Sequence, residues 1–178
     1  MFTLFSADFT GNPGNCSYPH KTVVMNTDNL REAVCHDYVC AEYKNHYRNG
    51  ENFISADCLP VDCDNDHSED PKDWVTPADV LEAFPGVSIA IHYSRFNNRE
   101  KNGKPARPKF HVLFPIDRMT DATLYSDMKK LVNSIFPYFD TKALDAARFF
   151  FGTQEPNVEL YPGRMNLTEF LNDDEFDA

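Results

Sequence analysis

Leu59-Pro60-Val61-Asp62-Cys63-Asp64 is an apolar run that ends in two carboxylates separated by one residue. Side chains on a strand alternate between faces, so Asp62 and Asp64 share one face while Val61 and Cys63 take the other. Adjacent carboxylates repel and raise each other's pKa unless a cation lies between them. A divalent ion such as Mg²⁺ or Mn²⁺, held by one or two carboxylates together with substrate phosphates, is the usual resolution in polymerase-type sites. The competing reading is a polar turn after a strand. Asp62-Cys63-Asp64-Asn65-Asp66 also begins like a calcium loop, but that loop needs Gly at its sixth position and Glu at its twelfth, where this chain has His67 and Asp73. Cys58, Cys63 and His67 make a weaker zinc set, since the chain has no C-x-x-C pair.

Two further stretches carry chemistry. In Arg107-Pro108-Lys109-Phe110-His111-Val112-Leu113-Phe114-Pro115, the residues Phe110, Val112 and Phe114 alternate with Lys109, His111 and Leu113. A strand here turns an apolar face to the core and points Lys109 and His111 together to the other side, where they suit a nucleotide phosphate. In the segment 138–153, Tyr138 and Phe139 run into Asp140, and Arg148 opens the apolar run Phe149-Phe150-Phe151. Asp140 is a candidate third metal ligand and Arg148 a candidate phosphate clamp, against the plainer reading of a core strand beside a surface ion pair. Asp145 competes with Asp140, although its i, i+3 spacing also suits a pair with Arg148.

Around these stretches, strand-like segments appear at 1–5, 59–64, 88–94, 109–115 and 148–153. Helices lie between them. One carries Leu30, Ala33 and Val34. Another starts at Thr76 as N-cap, with Pro77 at the first helical position and Asp79 three residues after the cap, and stops at Pro85-Gly86. A third shows Leu124, Met128, Leu131, Val132 and Ile135 at helical spacing, and Pro137 ends it. Strand and helix are mixed without the strict repetition of a doubly wound fold, which gives the α+β class.

The 178 residues, 42% apolar and 13% aromatic, exclude disordered and collagen-like classes and suit one domain. No apolar run approaches the roughly 20 residues of a membrane helix, and no basic segment precedes an apolar stretch at the start. Five cysteines are an odd number, better suited to free thiols in a reducing cytoplasm than to a disulfide framework. The net charge of −11 argues against indiscriminate nucleic-acid binding. Its distribution is uneven, however. Residues 95–109 alone carry +5, whereas 62–73 and the last ten residues are acidic. The basic arm is a candidate for holding template or triphosphate, and the plainer reading is a solvated surface.

In order and context, Asp62 and Asp64 at a strand end, His111 on a later strand, and Asp140 followed by Arg148 resemble the motifs of the archaeo-eukaryotic primase (AEP) superfamily, especially the primase-polymerases of phages, plasmids and mobile elements. The resemblance spans 59–153. One departure is Lys109-Phe110-His111, where the family commonly has S-x-H. The resemblance implies the primase catalytic core, in which an α/β unit and an RRM-like antiparallel unit enclose a cleft. That domain would occupy 1–171, with 172–178 an acidic tail or linker. It also implies template-directed nucleotidyl transfer (DNA primase, DNA polymerase or both) in replication of a phage or mobile element. Asp62, Asp64 and Asp140 would hold two Mg²⁺ or Mn²⁺ ions. Lys109, His111 and Arg148, with Arg107 as a further contact, would bind the nucleotide, and Asp62, Asp64, His111 and Asp140 would be catalytic. The implied partners are a single-stranded DNA template, a primer and nucleoside triphosphates. A helicase in another domain or protein would supply unwinding, because no P-loop is present. A metal-dependent nuclease and a non-catalytic nucleic-acid-binding domain are the alternatives.

Overall fold

The computed structural model describes residues 1–143 and 145–173. Its strands are β1 (Phe2–Ser6), β2 (His20–Val24), β3 (Tyr38–Val39), β4 (Ala41–Tyr43), β5 (Phe53–Cys63), β6 (Ile89–Tyr93), β7 (Phe110–Met119) and β8 (Val158–Tyr161). Its helices are α1 (Thr27–Val34), α2 (Pro77–Ala83), α3 (Ala122–Ile135) and α4 (Leu167–Leu171). A three-stranded sheet has the order β2-β1-β3 and a five-stranded sheet the order β4-β5-β7-β6-β8. Every strand pairing in them is antiparallel. No helix among the described residues is long and apolar enough to cross a membrane.

Strand alternation explains how the five-stranded sheet is covered. Leu59, Val61 and Cys63 of β5, Ile89 and Ile91 of β6, and Phe110, Val112 and Phe114 of β7 point to one face, where Val80, Phe84, Tyr125, Val132 and Leu167 from the helices complete a core. Cys58, Ala90 and Leu113 point the other way, against Phe2, Leu4, Leu30, Val34 and Tyr38 from β1, α1 and β3. Both faces are therefore buried, and polar residues on the second face lie inside the molecule rather than in solvent. Pro60 sits where β5 has outrun the short β4 and pairs with β7 alone, an edge at which a residue without an N–H is tolerated.

Two expectations shift. The segment 148–153 is not a ladder strand: it touches β3 through a single bridge, Tyr38 to Phe150, with reciprocal backbone bonds of 3.0 and 2.9 Å. Phe150 fills space between layers and Phe149 and Phe151 line the cleft, instead of extending a sheet. On α3 the buried positions are Tyr125, Lys129 and Val132, while Leu124 and Leu131 are exposed. Polar anchors turn the helix, since the Tyr125 hydroxyl donates to the Cys58 carbonyl (2.6 Å) and Lys129 Nζ to the Asp145 carbonyl (2.7 Å). Residues 174–178 of the expected acidic tail lie outside the described residues. By contrast, α2 begins as expected, with Asp79 accepting from the Thr76 N–H (2.7 Å) to close a capping box.

Asp37, fully buried just before β3, ties this architecture to the functional cleft. Its carboxylate accepts the backbone N–H groups of Gly11, Asn12 and Gly152, each at 2.9 Å. Gly152 lies so close to the His36 backbone that a Cβ there would come within 2.3 Å of it. Gly152→Ala is accordingly expected to cost about 1–3 kcal/mol through overpacking. Chemical denaturation should show the midpoint falling, and an unchanged midpoint would mean that the segment is not clamped.

Candidate active site

Pairing across the large sheet sets Asp62 opposite His111, and His111 opposite His92, in one lateral row of β5, β7 and β6. All three are at most 6% exposed. Asp64 lies just past the end of β5, on the same side as Asp62. Asp140 arrives from a distance. Beyond α3, Phe136 and Phe139 bury themselves, Asn133 donates to the Phe139 carbonyl (2.9 Å), and the Asp140 N–H donates to the Asp62 carbonyl (2.7 Å). One carboxylate oxygen from each of Asp62, Asp64 and Asp140 thus lies within 4.8 Å of the other two. Among the described residues, no other group of three His, Cys, Asp or Glu side chains converges in this way. Cys63 turns into the opposite core, so the Cys58, Cys63 and His67 zinc set does not assemble.

This cluster is short of partners. Asp62 Oδ1 is buried and accepts no hydrogen bond. The nearest nitrogens, His111 Nε2 and an Arg148 terminal nitrogen, stand 3.7 and 3.9 Å from its two oxygens. Burial first, then the neighbouring Asp64, pushes the Asp62 carboxyl well above its ordinary range, and Asp140 adds to the push while Arg148 opposes it. Asp64 is raised too, by burial against the opposing Lys109, with Asp66 and Asp140 contributing. Hard oxygen donors around an unsatisfied buried carboxylate oxygen are the donor set that Mg²⁺ or Mn²⁺ takes, so the three aspartates could hold a divalent cation.

Arg148 is held in place through its chain neighbours. Three successive carbonyls before it are grasped from elsewhere: Asp145 by Lys129, Ala146 by the Tyr43 hydroxyl, and Ala147 by Arg48 at 3.1 Å. Its Nε is buried without a partner, beside the cleft. Asp145 stays out of the acidic cluster, exposed, with its carboxylate turned back on the Ala147 N–H (2.8 Å) rather than onto Arg148. Lys109 is buried and close enough to Asp64 to favour its charge. Arg107 lies elsewhere. Its guanidinium donates to the carbonyls of Asn65 (2.8 Å) and Ser68 (3.2 Å) and to Glu69 (2.9 Å), and it stacks on Trp74, so its donors are spent on the loop after β5.

Asp62 and Asp64 open into a cleft of about 150 Å³ whose mouth carries Arg95, Phe96, Lys101 and Phe151. Arg95 lies 4.2 Å over the Phe151 ring and Lys101 4.6 Å over Phe96. A larger groove of about 740 Å³, with Asn97 and Arg99 in its wall, shares Ser94 and Arg95 with the cleft. Sequence reasoning missed two polar residues behind His111. Tyr38 and His92 are both fully buried, and their side chains meet His111 at Nδ1. The alternation Ile89-Ala90-Ile91-His92 does put His92 on the face of Ala90, but nothing local in the sequence points to Tyr38. Burial, His92 and the Arg148 cation hold His111 well below the ordinary imidazole range, and burial pushes His92 down to about 3, so both are neutral at pH 7.

No family model matches the sequence, and no curated protein matches it by sequence. By structure, the chain is similar to the AEP domain of the primase-polymerase (PrimPol) of cyanophage S-2L, with a TM-score of 0.52 and 11% identity, over 96% of this chain and 87% of that one. The fold is AEP-like. The likeness carries the architecture, a mixed α and β chain with two antiparallel sheets and few helices.

The raised Asp62 carboxyl yields a prediction about the metal-free protein. A carboxyl harder to ionise in the folded than in the unfolded chain costs stability as pH rises from the ordinary carboxylate range through its raised value. Asp62→Asn removes that cost. As pH rises above the ordinary carboxylate range, its thermal midpoint should gain progressively on that of the unsubstituted protein, where each kcal/mol is worth roughly 2–4 °C. Adding Mn²⁺ should raise the midpoint of the unsubstituted protein and leave Asp62→Asn nearly unmoved. Equal responses of the two proteins to pH and Mn²⁺ would contradict this description of the cluster.

Proposed function

We propose that the chain is a nucleotidyltransferase that extends or begins a polynucleotide on a single-stranded DNA template, as a primase-polymerase does. The observation that carries this reading is the meeting of three carboxylates around an unsatisfied buried oxygen, with Arg148 and a neutral His111 facing the same cleft. In the reaction a 3′-hydroxyl oxygen bonds to the α-phosphorus of a nucleoside triphosphate, the bond to pyrophosphate breaks, and the hydroxyl proton is released. Asp62, Asp64 and Asp140 would hold two Mg²⁺ or Mn²⁺ ions, which supply activation of the hydroxyl and charge neutralisation at the triphosphate.

The remaining roles fall to the chain's own groups. Arg148 offers a fork of donors, including its unpartnered Nε, to phosphate oxygens. His111 offers Nε2, and Lys109 sets the local charge beside Asp64. Arg95 and Lys101, seated on aromatic rings at the mouth, suit a base stacked over the cleft and the phosphates below it. The adjoining groove, with Arg95, Asn97 and Arg99, suits the template strand. Arg107 has no contact with nucleotide in this scheme, and a helicase partner, which nothing in the structure or the comparison supports, is not part of it. The reading puts the protein in the cytoplasm, in replication of a phage or mobile element.

The test uses primed and unprimed templates, labelled nucleoside triphosphates and Mn²⁺. The expected result is a lengthened product. Asp62→Ala, Asp64→Ala and Asp140→Asn should each lower incorporation by on the order of 10²-fold or more, as loss of one transition-state stabiliser does. Asp145→Asn, whose main-chain carbonyl still receives Lys129, should keep a substantial part of the activity. Shortened DNA without any need for triphosphates would make the protein a nuclease. Unchanged DNA would leave it a binding domain.

A further inference from the structure

Behind the cleft, four side chains from different parts of the fold form a continuous polar thread. Thr153 Oγ1 lies 2.9 Å from His92 Nε2. His92 Nδ1 lies 2.9 Å from the Tyr38 hydroxyl, and that hydroxyl lies 3.1 Å from His111 Nδ1. The two imidazole Nδ1 atoms are themselves 3.2 Å apart. At the far end, His111 Nε2 faces Asp62 Oδ1 at 3.7 Å. Tyr38, His92 and His111 are buried between two sheets, where an unpaired polar group is costly, so each hydrogen must have an acceptor.

That requirement leaves one arrangement of hydrogens. A neutral imidazole carries one N–H and one bare nitrogen. If both Nδ1 atoms were bare, two lone pairs would face each other and the single Tyr38 hydrogen would serve only one of them. If both carried hydrogen, the Tyr38 hydrogen would have no acceptor in the trio. One ring is therefore protonated at Nδ1 and the other at Nε2. Asp62 decides which: ionised, as it must be to hold a cation, its Oδ1 carries no hydrogen, so a bare Nε2 on His111 would set a lone pair against it, whereas Nε2–H turns a donor toward it at 3.7 Å. His111 then carries hydrogen on Nε2 and accepts at Nδ1, and His92 carries hydrogen on Nδ1 and accepts at Nε2.

We infer that Thr153, His92 and Tyr38 are positioning residues whose hydrogen bonds, run in one direction, lock His111 as the tautomer that presents Nε2–H to the cleft as a neutral donor for a triphosphate oxygen. The chain of donation is Thr153 O–H to His92 Nε2, His92 Nδ1–H to the Tyr38 oxygen, and Tyr38 O–H to His111 Nδ1. The hydrogen-bond part of this inference stands on the geometry of the thread and on the ionised Asp62 that cation binding requires. The triphosphate part rests on the proposed nucleotidyl transfer.

The thread has a built-in redundancy. If the Tyr38 hydroxyl is lost, His92 Nδ1–H can reach His111 Nδ1 directly, so Tyr38→Phe is a mild variant. Thr153 has no such substitute. Without its hydroxyl, His92 loses the donor that keeps Nε2 bare, and a His92 that shifts its hydrogen to Nε2 forces His111 toward Nδ1–H. Thr153→Val keeps the side-chain shape and the backbone bond from the Thr153 N–H to the Val34 carbonyl (2.9 Å).

The experiment is ¹⁵N-detected NMR of the imidazole nitrogens in the full chain, paired with steady-state kinetics for nucleoside triphosphate. In the unsubstituted protein with Mg²⁺ added, His111 should show a protonated Nε2 and a bare Nδ1, and His92 the reverse. Thr153→Val should mix the tautomers of both rings and raise KM for triphosphate by about tenfold, the scale of outer-shell effects, with a smaller change in kcat. Thr153→Ser should restore both readouts. His111 protonated at Nδ1, or both rings in the same tautomer, would overturn the inference. The assigned tautomers with a KM unmoved by Thr153→Val would overturn the link to triphosphate binding. The assigned tautomers in a protein that incorporates no nucleotide would uphold the relay and refute the proposed activity instead.

Discussion

The register between β5 and β7, which sets Asp62 opposite His111, is the constraint on which the rest of the molecule depends. Because both faces of the sheet are buried, a slip of one residue would carry Asp62 into the core of Val80, Phe84 and Phe114 and turn Val61 toward the cleft. The helical layer therefore enforces the position of the acid by requiring Leu59, Val61 and Cys63 on its own side. The same alternation in β7 and β6 extends the row to His111 and His92. Apolar packing on one face is thus what specifies a line of polar groups on the other.

That line conflicts with ordinary folding economy. Three carboxylates converge with one oxygen unsatisfied, two histidines are kept neutral by burial, and Arg148 leaves its Nε without a partner. Elsewhere the chain satisfies its buried polar groups with care. Asp37 collects three backbone donors, and Arg107 distributes its donors over three carbonyls and a carboxylate. Among the described residues, two of the three buried side-chain atoms without a partner, Asp62 Oδ1 and Arg148 Nε, belong to the cleft, the third being Arg48 Nε, and a cleft that binds ions and phosphates needs such unmet demand.

Sequence reading reached furthest where chemistry is written in strand alternation. The D-x-D end of β5 and the shared orientation of Lys109 and His111 follow from a period of two, and the capping box of α2 follows from Thr76, Pro77 and Asp79. It failed where tertiary partners decide. The stripe of α3 was displaced because Tyr125 and Lys129 find acceptors at Cys58 and Asp145 that no local pattern reveals. Phe149-Phe150-Phe151 has the composition of a strand but packs Phe150 between layers and turns Phe149 and Phe151 to the cleft, beside the close contact of Gly152 with His36. Arg107 and Arg148 are equivalent in type, and only the loop folded over Arg107 separates a structural guanidinium from one that faces the cleft. Tyr38 and His92 were silent because their meaning lies in mutual contact across three strands.

The central claim is that Asp62, Asp64 and Asp140 together hold divalent ions against a triphosphate gripped from the Arg148 and His111 side. It is tested most directly by crystals grown with Mn²⁺ and a non-hydrolysable nucleoside triphosphate, using anomalous scattering to locate the metal. Manganese bound by oxygens of all three aspartates, with the triphosphate against Arg148 and His111 Nε2, is the predicted result. Manganese bound elsewhere, or a triphosphate seated away from Arg148, would contradict it.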